Sequence, residues 1–151
     1  MTTEAAGEAC PLPIRTPGAE ATAVDNMLRA KRVAVVGLSD DPDKPSHGIA
    51  GYLMSHGYEV IPVNPTHDHV LGLKCYATLA DVPGEIDLVN VFRRPQFCAD
   101  VTRDAIAKGA KGVWLQAGIR NEEARKLAEQ AKIDFVQDRC IMVEHMSRRR
   151  R

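Results

Sequence analysis

Aromatic residues and net charge are both scarce in this 151-residue chain. Aromatics make up 5% of the sequence, so Val, Ile, Leu and Ala must build most of the core, although the hydrophobic content of 44% is ordinary for a globular protein. Twenty Lys and Arg balance twenty Asp and Glu. This balance argues against a surface devoted to nucleic acid. The length suits one domain.

Long apolar runs are also missing. No window approaches the roughly 18 apolar residues that cross a bilayer. The first twenty residues hold acidic residues and prolines where a signal peptide has a basic start and an apolar block. We therefore expect a cytoplasmic protein that does not enter a membrane.

The cysteines form no C-x-x-C pair, which excludes a zinc ribbon and a thioredoxin motif. The four residues are Cys10, Cys75, Cys98 and Cys140. In a reducing compartment we expect free thiols. Cys140 is either a reactive thiol or, as is commoner for buried cysteine, inert packing.

Two small clusters of chemically active side chains give only weak evidence for a metal site or a catalytic site. His67-Asp68-His69 lacks a third metal ligand, and alternate residues of an extended segment point to opposite sides. Cys140 with His145 lacks a third group to orient the imidazole. We expect no metal and no catalytic residue.

Apolar runs alternate with helical periodicity along most of the chain. The runs predict strands over residues 32–37, 59–63, 86–92, 112–115 and 134–136, and the periodicity predicts helices over 21–31, 47–56, 95–108 and 121–132. This order predicts an α/β domain with a doubly wound, mostly parallel five-stranded sheet. Residues 1–19 are expected to be a loose arm, 66–75 irregular, and 147–151 a solvated basic tail.

Sheets of this kind bind ligands at the carboxyl ends of their strands, so the loops there are the candidates. The first loop contains Gly37, Ser39 and Lys44, and Ser46 is predicted to cap the next helix. Hydroxyls, main-chain amides and a helix N-terminus suit a phosphate. Neither G-x-G-x-x-G nor G-x-x-x-x-G-K-[ST] is present. The alternative is a purely structural loop.

The second and third loops differ from those of NAD-binding proteins. The second strand ends at Asn64-Pro65, where an NAD site usually has an acidic residue for the ribose. Asn64 either contacts a ribose or base edge or merely stops the strand. Arg93 and Arg94 follow the third strand and suit bidentate phosphate binding, the alternative being surface ion pairs.

The last two loops offer fewer candidates. Gln116 and Gly118 follow the fourth strand and allow a ligand to approach the backbone. Arg139 follows the fifth strand and is a further candidate anion contact.

Taken together, the loops resemble those of the small stand-alone CoA-binding proteins of bacteria and archaea. The motifs are V-G-L-S-x-x-P-x-K-P-S at 36–46, V-N-P at 63–65, V-F-R-R at 91–94, W-L-Q-x-G at 114–118 and D-R-C-I-M-x-E-H at 138–145. The resemblance covers residues 20–146. That family's fold is similar to the CoA-binding domain of the succinyl-CoA synthetase α subunit, which implies a Rossmann-like domain.

The resemblance implies a ligand and a site. The ligand would be coenzyme A or an acyl-CoA, with its phosphates between Gly37 and the helix near His47 and its adenine end near Asn64 and Phe92 to Arg94. The residues expected to contact it are Gly37, Ser39, Lys44, Pro45, Ser46, His47, Asn64, Pro65, Phe92, Arg93, Arg94, Gln116, Gly118 and Arg139.

The resemblance also bears on catalysis. The related ligases carry a further domain with a phosphorylated histidine and a nucleotide-grasping unit, whereas only six residues follow His145 here. We therefore expect a stand-alone, non-catalytic binding domain, as a homodimer or beside an enzyme that uses acyl-CoA. The alternatives are a nucleotide-dependent oxidoreductase and an interaction module of an acyl-transferring enzyme.

Overall fold

The computed structural model of the protein describes residues 17–149, so the predicted arm of residues 1–19 lies almost wholly outside the described residues. The helices are α1 (Pro17–Leu28), α2 (Pro45–Ser55), α3 (Cys98–Lys108), α4 (Glu122–Ala131) and α5 (Ile141–Arg149). The strands are β1 (Arg32–Val36), β2 (Glu59–Val63), β3 (His69–Val70), β4 (Leu73–Lys74), β5 (Leu88–Val91), β6 (Gly112–Leu115) and β7 (Asp134–Val136). Single 3₁₀ turns cover Leu79–Asp81 and Pro95–Phe97.

Five strands form one parallel sheet in the order β2-β1-β5-β6-β7, which confirms the predicted fold class. The chain proceeds from β1 to β2 on one side and then returns to place β5 on the other side of β1. The helices that follow β1 and β5 lie on opposite faces of the sheet, and the space between their connections is where open α/β sheets bind ligands.

Helices cover both faces of the sheet, which explains the near-continuous burial of its strands. One face packs Ala34, Val89 and Val113 beneath α3 and α4, and the other packs Val33, Leu88 and Trp114 beneath α1, α2 and α5. The indole N–H of Trp114 donates to Arg139 O at 2.8 Å, so the largest buried side chain also leaves no unpaired donor. No helix within residues 17–149 is long and apolar enough to cross a membrane.

Local signals set several helix ends as predicted. The Asn121 side chain accepts from Ala124 N at 2.8 Å and caps α4, and Gly109 ends α3 at φ 84°. Helix α1 both begins and ends earlier than the predicted helix 21–31.

Three predictions of local structure were wrong. Helix α2 begins at Pro45, so Ser46 lies inside the helix and Lys44 occupies the cap position. The segment 66–75 contains the antiparallel hairpin β3–β4 rather than irregular chain. Of the basic tail, residues 147–149 continue α5, and Arg148 is tied to Asp25 at 2.6 Å and to Glu144 at 2.8 Å instead of being solvated, whereas Arg149 is exposed and residues 150–151 lie outside the described residues.

Candidate functional site

The loops after β1 and β5 touch each other at the switch point. Gly37 N donates to Val63 O and Phe92 N donates to Val36 O, each at 2.8 Å. These main-chain hydrogen bonds hold the first residue of each loop to the end of a neighbouring strand. Gly37 has φ 85°, and a Cβ added there would lie 2.5 Å from Phe92 O. Only glycine permits this approach.

The loop after β1 presents hydrogen-bond donors beside the N-terminus of α2. Ser46 Oγ accepts from Ser39 N and Ser39 Oγ accepts from Asp41 N, both at 3.0 Å, so each hydroxyl proton remains available. The main-chain N–H groups of Leu38 and Asp40 donate to no residue within the described range 17–149. Together with the positive end of the α2 dipole, these donors suit an anion.

The neighbouring charges in this loop are mixed. Lys44 and Pro45 are exposed where α2 begins, and His47 is half-buried. Asp40 lies 3.6 Å from His67, and Asp41 accepts from Asp43 N at 2.9 Å. Two of the three loop carboxylates are thus already engaged, while the ammonium of Lys44 is exposed beside the donors.

Asn64 connects the second loop to the first. Its amide Nδ2 donates to Leu38 O at 3.0 Å, and its Oδ1 accepts from the N–H and the hydroxyl of Thr66 at 3.0 and 2.8 Å. Both ends of the amide are therefore used to fix the loops, and Pro65 is exposed beside it. Asn64 ends β2 as one of the two interpretations expected, and no carboxylate stands at that position.

Arg93 and Arg94 extend from the third loop. Within residues 17–149 neither guanidinium forms an ion pair with a carboxylate, so the expected alternative of surface ion pairs is not what the structure shows. Arg93 lies 4.7 Å over the Phe97 ring, a cation–π contact, and Arg94 is exposed. Phe92, half-buried, packs with the core on the α2 side of the sheet.

Two buried thiols donate hydrogen bonds to the main chain of the second and third loops. Cys75 Sγ donates to Asn64 O at 3.4 Å, and Cys98 Sγ donates to Arg94 O at 3.5 Å. Burial raises the pKa of Cys75, and it raises the pKa of Cys98 to about 11 despite the nearby positive charge of Arg93. Both thiols therefore stay protonated at neutral pH and act as donors, not as nucleophiles.

Gln116 lies beneath the site rather than in it. It is 4% exposed, and its Oε1 accepts from Asn90 Nδ2 at 3.1 Å and from Ile141 N at 3.0 Å. These two donors fix the orientation of both amides and leave Asn90 Oδ1 buried without a hydrogen-bond partner among the described residues. No local sequence signal marks Asn90, since its partners, Trp114 O and Gln116 Oε1, come from β6 and the loop that follows it.

Arg139 and Gly118 lie at the β6–β7 end of the sheet, away from the switch point. Arg139 contacts Glu20 at 2.8 Å and Glu144 at 3.2 Å, and these hydrogen bonds raise its pKa. Gly118, at φ 83°, donates its N–H to Asp138 Oδ1 at 2.7 Å. The predicted site residues thus separate into a switch-point group and a β6–β7 group.

The weaker clusters do not assemble into sites. His145 Nδ1 lies 2.7 Å from Tyr52 OH, so its partner is a phenol and not Cys140. Cys75, Cys98 and Cys140 are free thiols. Residues 17–149 contain no group of three or more His, Cys, Asp or Glu side chains placed to hold a metal ion.

Comparison with known proteins gives the family. Residues 31–146 match the CoA binding domain family over most of the chain. The chain belongs to the CoA-binding domain family. This CoA-binding domain is 43% identical, over 79% of its own length and 88% of the other's, to the uncharacterized protein YneT of Bacillus subtilis. Its fold matches that of a hypothetical protein from Pyrococcus horikoshii with a TM-score of 0.82 and 38% identity, over 91% and 95% of the two chains.

One relative is a much larger enzyme, of which this chain matches only a part. The ADP-forming acetate–CoA ligase II of Archaeoglobus fulgidus is 35% identical to this CoA-binding domain over 69% of the chain. The chain spans only 16% of that ligase. The match therefore concerns the CoA-binding portion.

Proposed function

We propose that this protein binds coenzyme A or an acyl-CoA at the switch point, with the phosphates against the loop that follows β1. The observation that supports this most directly is the set of unused donors there: two hydroxyls, the N–H groups of Leu38 and Asp40, and the N-terminus of α2. Family membership supplies the ligand class.

Arg93 and Arg94 would add positive charge on the β5 side of the same site. Both lack carboxylate partners among residues 17–149, so either can turn to a phosphate without breaking an ion pair. An NAD-dependent oxidoreductase is disfavoured because Asn64, whose amide is committed to Leu38 and Thr66, stands where the ribose-binding carboxylate would be.

Isothermal titration with CoA, dephospho-CoA and NAD tests the proposal. We expect CoA to bind and NAD not to bind. Because a hydrogen bond to a charged group is typically worth about 1.5–3 kcal/mol, Arg93→Ala or Arg94→Ala should weaken CoA binding by roughly tenfold or more if that arginine contacts a phosphate. Arg103→Ala, an exposed arginine on α3, is the matched control and should leave the Kd unchanged.

Dephospho-CoA, which lacks the 3′-phosphate, locates the contact. If Arg93 or Arg94 contacts that phosphate, its alanine variant should bind CoA and dephospho-CoA equally, while the wild type still prefers CoA. Binding of NAD with no binding of CoA would refute the proposal as a whole.

We further propose that the protein acts without ligase chemistry of its own, as a binding domain that serves an enzyme acting on acyl-CoA. The matched region is the CoA-binding portion of much larger ligases. The site holds donors and guanidiniums that position phosphates. Its two buried thiols are held protonated, so they supply no nucleophile.

A further inference from the structure

A cavity of about 630 Å³ opens at the carboxyl ends of β6 and β7, beside the loops that follow these strands. Its size lies within the range of small-molecule sites. We propose that this cavity receives the acyl group of a bound acyl-CoA and selects short, uncharged acyl groups that carry their own hydrogen-bonding function. The inference rests on the proposed function, since it concerns the far end of the same ligand.

The strand order gives the ligand a path to this cavity. From the switch point between β1 and β5 the sheet continues over β6 to β7, so an arm of CoA that leaves the phosphates in this direction reaches the cavity. Neighbouring strands lie about 4.8 Å apart, so the three steps from β1 to β7 span roughly 14 Å. An extended pantetheine arm is long enough to cover that distance.

The two loops that frame the cavity are joined to each other. Asn121 N donates to Gln137 Oε1 at 2.9 Å, Asp138 N donates to Ile119 O at 3.1 Å, and Gly118 N donates to Asp138 Oδ1 at 2.7 Å. These bonds cross between the β6 and β7 loops at three successive places. The cavity is therefore formed before any ligand arrives, as binding sites usually are.

Charged groups dominate the cavity wall, and most are already paired. Arg139 is held by Glu20 and Glu144, and Arg125 by Glu122 at 2.7 Å. The lining also includes Arg120 and Asp138 and few apolar side chains. An aliphatic chain placed here would displace water from these groups without replacing its hydrogen bonds.

Arg120 is the wall residue best placed to meet a polar acyl group. Its side chain is 62% exposed, and its nearest carboxylate, Asp138, lies at 3.7 Å, beyond hydrogen-bond distance. The lining carries four carboxylates against three guanidiniums, an excess of one negative charge. A carboxylate-ended acyl group would add to that excess, whereas a hydroxyl accepts from Arg120 without doing so.

A matched pair of ligands tests the inference. Butyryl-CoA and 3-hydroxybutyryl-CoA differ by one hydroxyl, and isothermal titration measures the Kd of each beside CoA itself. We expect the hydroxylated ligand to bind about three- to tenfold more tightly, as one neutral-acceptor hydrogen bond allows. Arg120→Met should remove this preference and leave the Kd of CoA unchanged. Arg103→Met, on α3 and outside the cavity, should keep the preference.

The outcomes separate the two proposals. If CoA binds but the hydroxyl has no effect on the Kd, or if Arg120→Met retains the preference, the acyl cavity is wrong while CoA binding stands. If butyryl-CoA or succinyl-CoA binds more tightly than 3-hydroxybutyryl-CoA, the charged cavity wall does not select uncharged, hydrogen-bonding acyl groups, and the proposal is wrong. Absence of binding by CoA itself refutes the proposed function instead.

Discussion

Replacing Gly37 by Ala perturbs the contact on which the switch point depends. Two costs add together. A non-glycine residue at φ 85° has an unfavourable left-handed backbone, worth about 1–2 kcal/mol. The new Cβ would also lie 2.5 Å from Phe92 O and 3.2 Å from Arg93 Cδ. The first neighbour is main chain at the end of the central strand β5, so it cannot turn away.

Overpacking of this kind typically costs about 1–3 kcal/mol, which brings the expected loss to roughly 2–5 kcal/mol. For a chain of this length each kcal/mol lowers Tm by about 2–4 °C, so thermal unfolding followed by circular dichroism should show a drop of roughly 4–20 °C. CoA affinity should fall as well, because relieving the clash moves Phe92 and Arg93.

Gly109→Ala is the matched control. Gly109 has nearly the same backbone angle, φ 84°, but nothing lies within 4 Å of the position that the new methyl group would take. The Gly109→Ala variant should therefore be destabilised only by its left-handed backbone, by about 1–2 kcal/mol, and its affinity for CoA should be unchanged. Equal losses of Tm in the two variants would refute the reasoning, since they would show that the contact with Phe92 contributes nothing.

The remaining predictions concern pH and catalysis. Burial first, and then the charges of His56 and Arg149, lower the pKa of His145, which also faces Tyr52 and Tyr58. Because folding lowers the pKa of His145, the stability of the protein is unaffected above the unfolded pKa of about 6.5 and is lost as the pH falls through the folded pKa. The variant His145→Gln should therefore flatten the fall in Tm between pH 7 and pH 5. An unchanged slope of Tm against pH would contradict this. Purified protein given ATP or GTP, CoA and short carboxylic acids should form no thioester, and sustained turnover would make it an enzyme.

The sheet was predictable because its strands are buried on both faces. Such strands consist of near-continuous apolar residues, as in Arg32–Val36, whose pattern does not depend on knowing the neighbours. The cap at Asn121 and the stop at Gly109 are equally local. Each of these signals acts within a few residues of its own position, which is why the sequence alone suffices.

Side-chain roles at the site could not be predicted in the same way. Ser46 has the chemistry of a helix cap, but its oxygen accepts from Ser39 N, seven residues earlier. Gln116 has a polar side chain in a ligand-binding loop, yet Asn90 and Ile141 occupy its oxygen. These partners lie on other elements, so their proximity is set by the tertiary fold and by no short-range pattern.

The site therefore divides its polar residues between two tasks. The thiols of Cys75 and Cys98 and the amide of Asn64 use their hydrogen bonds on the main chain of the loops. Because these bonds are formed in the free protein, the loops need not be ordered when a ligand binds, which lowers the entropic cost of binding. Under the proposed function, the groups that contact the ligand are those whose protons remain unused, above all the hydroxyl of Ser39 and the guanidinium of Arg94. Such donors favour a ligand that brings its own acceptors, as the phosphates of coenzyme A do.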